Sequence, residues 1–181
     1  MRFDIRRRLL FLGLGVALFM GMYSAGAAEK MTPEEAEEVR SQFEEQIAGI
    51  DQNGIFFNNM GIALGMFVPG VGIGLGSLSG YVTGNVFSAI AEGTPELQGI
   101  PPQIILITPF GIMEVVTYGL AMSRSGLLVY YFVKRRPWRE YAVPTLAELG
   151  IAVALLFAGA VIEWWMIEEL GGLNLEPQAG I

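Results

Sequence analysis

From Ile55 to Ala91 the chain carries no charged side chain. As one helix this run would be about 55 Å long at 1.5 Å per residue, against a bilayer hydrocarbon core of roughly 30 Å. It must therefore fold back on itself, and Pro69-Gly70 near its middle supplies the turn. Two full crossings and a shorter re-entrant hairpin both satisfy the run, because the turn has no charge to fix it at a surface. Both return the chain to the side it came from. Charged residues make up 16% of the 181 residues, below the roughly 25% of an average soluble domain, so a bilayer is the medium that suits the sequence. The length allows one compact membrane domain and not two.

Around this run the remaining segments fall into a consistent order. Residues 1–28 hold Arg2, Arg6, Arg7 and Arg8 against Asp4, then a charge-free stretch from Leu9 to Ala28. About twenty apolar residues cross the core once, and the basic flank keeps the N-terminus in the cytoplasm. The small residues Ala25, Gly26 and Ala27 also suit a signal-peptide cleavage site. An uncleaved anchor is the preferred reading, since membrane segments continue downstream.

Residues 29–54 are acidic, with eight carboxylates against Lys30 and Arg40. Thr32, Pro33 and Glu35 form a helix start with a capping box. Ala36, Val39, Phe43, Ile47 and Ile50 then give one narrow apolar stripe. The expected element is an amphipathic helix outside the membrane, solvated or docked to a partner domain.

Gly93 to Pro102 is a turn-rich loop without Lys or Arg. Gln103 to Val133 is too long for an untilted span and contains Pro109, Gly111, Gly119 and Gly126, which predicts a broken helix, as two half-helices. Lys134, Arg135, Arg136 and Arg139 place the next loop in the cytoplasm, flanked by Tyr130, Tyr131 and Trp138. The core thus spans 55–136. Residues 137–181 give the end of that loop, a last crossing starting at Pro144 and ending near Trp164-Trp165, and an acidic tail. Eight of the eleven basic residues lie on the two cytoplasmic segments. The expected fold is an all-α polytopic membrane bundle with about five crossings, broken or re-entrant helices, N-terminus inside and C-terminus outside.

Function classes narrow in the same way. The net charge of −7 and the lack of a basic, aromatic-interleaved cluster argue against nucleic acid. The chain has neither cysteine nor histidine, which removes disulfides, zinc sites and any serine–histidine dyad. Asp4 and Asp51 are the two aspartates, both outside the spans, so paired-aspartate proteolysis has no partners. A serine–lysine dyad would have to recruit Lys30 or Lys134 at the membrane edges. No cofactor or metal is expected, and the chain reads as a non-enzyme.

Gly72, Gly76, Gly80 and Gly84 recur every fourth residue, continued by Ser88, with Gly61 and Gly65 as a second pair. In lipid that spacing makes a flat strip for close helix packing, against the hairpin mate or another copy. A nucleotide-binding reading fails, because no third glycine sits at the required offset and no Gly-Lys-Ser/Thr follows.

Asn58, Asn59, Asn85, Glu114 and Arg124 are polar groups at membrane depth. A mid-membrane carboxylate costs on the order of 3 kcal/mol, so Glu114 has to face a polar interior, pair, or stay protonated. It serves either an ion or proton site in a pore or a polar lock holding helices in register. Arg124, about 15 Å further along a helix, is too far to pair with it directly and can snorkel toward the cytoplasm with Ser123 and Ser125. Glu148, one turn into the last helix, reads as a favourable helix-end charge, and Glu163 as interfacial.

Phe57-Asn58-Asn59, Gly84-Asn85 and the run Pro109-Phe110-Gly111-Ile112-Met113-Glu114 resemble the stage II sporulation protein M family of integral membrane proteins over Phe56 to about Arg136. The family reads Pro-His-Gly-x-x-Glu at the last motif. Phe110 stands in place of that histidine, which argues against a proton relay there, while the glutamate is kept. The Asn-Gly order is reversed at Gly84-Asn85. The resemblance implies a membrane architecture and a subunit role, since the named member in spore formers anchors cell-wall hydrolases. Partners are then the bilayer, a second copy, or another membrane or extracytoplasmic protein. A non-catalytic scaffold is the leading function, and a channel or transporter component built on Glu114 and the asparagines is its alternative.

Overall fold

The computed structural model describes residues 5–97 and 99–169. Arg2, Asp4, Gln98 and the tail beyond Glu169 lie outside the described residues, while Glu168 and Glu169 of the acidic tail form the end of α6. Six α-helices account for most of the fold, and no strand occurs among the described residues: α1 (Ile5–Ala27), α2 (Pro33–Ile47), α3 (Gln52–Phe67), α4 (Gly72–Gly93), α5 (Pro109–Val133) and α6 (Arg139–Glu169). Short 3-10 turns at Pro95–Leu97 and Pro102–Ile107 join α4 to α5.

Local chemistry sets each boundary. Thr32 accepts from the Glu35 amide at 3.3 Å, and the Glu35 carboxylate accepts from the Thr32 amide at 2.8 Å, so α2 starts where its capping box lies. Asp51 caps α3 through the Gly54 amide at 2.8 Å. The turn between α3 and α4 falls at Val68–Val71, with Gly70 at φ +80°, a conformation a side chain disfavours. Ser125 of α5 clamps this turn: its hydroxyl donates to the Val68 carbonyl at 2.6 Å and accepts from the Gly72 amide at 3.1 Å.

Two expectations are corrected here. The stretch from Gln103 to Val133 is not two half-helices. Pro109 occupies the first helical position, where its missing N–H costs nothing, and Thr108 caps the helix through the Gly111 amide at 3.1 Å. α5 then runs unbroken for 25 residues. Its glycines lie where other chain segments approach, as at Gly119 against Val16 of α1. The last helix starts at Arg139, before Pro144, which sits inside it.

α1, α5 and α6 are long and apolar enough to cross a membrane. α3 has 16 residues and α4 has 22, or about 24 Å and 33 Å of helix, and neither meets that measure, so the count by length and composition is three. α1 packs most extensively on α4 and then on α5, while α5 and α6 form an antiparallel pair and α2 lies on α4. The core is built from Phe19 and Tyr23 of α1, Met60, Ala63, Met66 and Phe67 of α3, Tyr118 and Met122 of α5, and Ala152 and Leu156 of α6.

Candidate functional site: charged and polar groups inside the bundle

The charges inside the bundle meet at Glu148. Its carboxylate receives two guanidinium forks, one from α1 and one from α5. Arg8 donates Nε to Oε1 at 2.5 Å and Nη2 to Oε2 at 2.7 Å. Arg124 donates Nε to Oε2 at 2.7 Å and Nη2 to Oε1. Arg8 also donates to Ser123 Oγ at 2.8 Å and to the Leu120 carbonyl at 3.2 Å. The three charged side chains are 8%, 2% and 9% exposed for Arg8, Arg124 and Glu148. Three helices are thus joined through one carboxylate. Planar forks suit this arrangement, since each places two N–H groups on one carboxylate in fixed geometry.

Nothing in the sequence reading assembled this group. The helix-end reading of Glu148 and the snorkelling of Arg124 toward the cytoplasm give way to this buried ion pair, and Arg8 reaches into it from the basic flank. Arg124 lies level with Glu148 in the α5–α6 pair, so the two meet where the hairpin register brings them together.

A second group lies on the side of α5 and α6 away from that turn. Asn59 of α3 donates Nδ2 to Glu114 Oε1 at 2.6 Å. Glu163 of α6 lies within electrostatic range of Glu114 and Tyr118, and its Oε2 is buried with no hydrogen-bond partner among the described residues. Asn58, the adjacent residue, is exposed. Asn85 is elsewhere: it donates to Glu29 Oε2 at 2.7 Å, beside the Tyr81 hydroxyl at 2.6 Å. The five polar residues singled out by sequence therefore occupy separate places: Asn59 meets Glu114, Arg124 meets Glu148, Asn85 pins the end of α1, and Asn58 faces outward. Glu29 and Glu163 complete these groups and were not singled out for them. No three His, Cys, Asp or Glu residues come together as a metal cage among the described residues.

The glycines divide as sharply. A Cβ at Gly84 would meet the Tyr23 carbonyl of α1, one at Gly80 the Phe19 carbonyl, and one at Gly76 the Met122 side chain of α5. At Gly72 it would meet the Met66 carbonyl and Ser125. Gly26 on α1 returns the approach, facing the Tyr81 carbonyl. Gly65 faces Leu75, and Gly61 has open space around it. The strip on α4 therefore lies against this chain's own α1 and α5, and at Gly72 also against the end of α3.

The family model described as Stage II sporulation protein M matches residues 9–166. The match extends well beyond the central stretch that carries the sequence motifs, and takes in α1 from Leu9 and most of α6. Comparison with curated proteins and with solved structures returns no match. Arg124, Glu148, Asn59 and Glu114 all lie within the matched span, and a family model covering most of the chain settles the membership: this protein belongs to the stage II sporulation protein M family.

Proposed function

We propose that this protein is a non-catalytic, multi-pass membrane subunit that holds another protein at the membrane. The carrying observation is the double fork on Glu148, in which the two buried arginines and the buried carboxylate satisfy one another across α1, α5 and α6. A group saturated in this way favours rigidity over chemistry, since its donors are already committed. Family membership agrees with a membrane subunit. The reading places the N-terminus and the basic α5–α6 turn in the cytoplasm, counts the α3–α4 hairpin toward about five crossings, and sets acidic α2 outside as the docking face. α2 exposes Glu34, Glu37, Glu38 and Glu45, a surface suited to a basic partner. The chain has no cysteine, so a single cysteine at Glu45 gives a unique crosslinking handle in intact cells. A discrete adduct with one other polypeptide supports the reading. Labelling of that cysteine from the cytoplasmic side contradicts it.

A second reading rests on Asn59, Glu114 and Glu163, two carboxylates and an amide on three helices. Intramembrane carboxylates line ion and proton paths often enough to warrant a direct test. Loss of a proton or cation flux in liposomes on Glu114→Gln, with the protein still assembled, selects this transport reading over the scaffold.

A further inference from the structure

α1 and α6 both pack on α5 but not on each other, which leaves a cleft of about 900 Å³ with α5 as its floor. Arg8 reaches across this gap to Glu148. We infer that the cleft holds one anionic phospholipid, with its phosphate at the end near the α5–α6 turn and its acyl chains running along α1.

The lining is graded along the helix axis. Arg7 and Arg139 stand at the turn end with Tyr130 and Tyr131. Phe11, Leu14 and Leu18 line the part further along α1, while Ile73 stands beside Gly126 nearer the turn. Leu14 lies about 10 Å and Leu18 about 16 Å further along α1 than Arg7. A lipid has the same order, with charge at the surface and hydrocarbon below.

Charge selects the headgroup. Arg7, Arg8, Arg124 and Arg139 face the cleft against Glu140, with Glu148 behind two of them. Arg136 approaches Glu140 at 4.0 Å, which offsets that carboxylate. Among the described residues this is a local excess of positive charge, on a chain of net charge −7. Basic pockets between membrane helices bind phospholipid headgroups through such groups. The volume lies within the roughly 300–1,000 Å³ of ligand pockets, and Leu14 at 57% and Leu18 at 40% exposure leave an apolar wall for the chains.

The test is native mass spectrometry of the full chain in mild detergent, titrated with phosphatidylglycerol or with phosphatidylcholine of the same chains. Phosphatidylglycerol is retained preferentially. Each arginine removed weakens it roughly fivefold, so the double variant Arg7→Gln/Arg139→Gln binds both lipids alike. Leu14→Trp, which fills the cleft and leaves the charges in place, lowers binding of both and keeps the test decisive if the charge variant does not fold. Equal retention of the two lipids by the unmodified protein overturns the inference. So does phosphatidylglycerol binding that survives Leu14→Trp, or a co-purified polypeptide occupying the cleft that lipid does not displace.

Discussion

Replacing Glu148 by glutamine keeps the shape of the buried triad and removes its single negative charge. The two guanidiniums, 8% and 2% exposed, are then left facing a neutral amide and each other. Removing one partner of a buried ion pair costs about 3–5 kcal/mol, because the remaining charge is stranded. For a chain of this size that corresponds to a fall of roughly 6–20 °C in Tm. The geometry also ranks the variants. Arg124 makes both its described hydrogen bonds to Glu148, whereas Arg8 has Ser123 and the Leu120 carbonyl as well. Arg8→Gln leaves Arg124 and Glu148 as a neutral pair, so its cost is about 1.5–3 kcal/mol, that of bonds to a charged group. The double variant Arg124→Met/Glu148→Met leaves Arg8 alone, four residues into the chain's first described helix turn, where its long stem can carry the charge to water. It is therefore less destabilised than Glu148→Gln. The assay is thermal unfolding in detergent followed by tryptophan fluorescence, with each variant and the double in one cycle. A Glu148→Gln protein within about 1 kcal/mol of the parent, or strictly additive effects in the cycle, would show that the triad is not holding the helices together.

Gly84→Ala puts a methyl group onto the Tyr23 carbonyl and is expected to lower stability by about 1–3 kcal/mol. Gly61→Ala, in open space, is expected to leave stability unchanged or raise it, and unfolding midpoints compare the two directly. At α2, hydrogen bonds from the Thr32 backbone and hydroxyl hold the Glu35 carboxyl below its ordinary value of 4.5. A depressed folded value means that its contribution is complete above pH 4.5 and is lost as pH falls through the lower folded value. Amide protection factors at the start of α2 should therefore fall below that pH, and Thr32→Ala should lessen the pH dependence without abolishing it, since the residue 32 amide still donates to Glu35, while costing about 1 kcal/mol of capping. Because Phe19 and Tyr23 of α1 are 3% and 0% exposed in the core, α1 is expected to stay in the mature protein. An intact mass lacking residues 1–27 would contradict that.

The boundaries and the polar site were not equally legible in the sequence. Capping chemistry is local, so Thr32-Pro33-Glu35 gave the start of α2, and Pro69-Gly70 the hairpin turn. Proline misled where its position in the helix mattered. Pro109 begins α5 and does not break it, and Pro144 sits inside α6 after a start at Arg139. The buried triad joins residues 140 and 24 positions apart in the chain, beyond the reach of local periodicity. One half of it was nevertheless encoded. In an antiparallel pair joined between Val133 and Arg139, Arg124 and Glu148 each lie nine positions from the turn, so their charges face one another by register. Met113 against Gly159 follows the same register. The contribution of Arg8 was not readable this way, because α1 reaches α5 and α6 only through the tertiary fold. Likewise, the glycine row on α4 announced a close approach without saying to what, and the answer is α1 and α5 of the same chain, with the end of α3 at Gly72.

If this protein works by holding a partner, it leaves the membrane together with that partner. The most direct measurement is the native mass of the tagged protein extracted from its own membranes in mild detergent, with every co-purifying polypeptide identified. The expected result is a defined complex containing a second polypeptide in fixed stoichiometry. A bare monomer or homo-oligomer that conducts protons or cations in liposomes, and stops doing so on Glu114→Gln while still assembled, would contradict it.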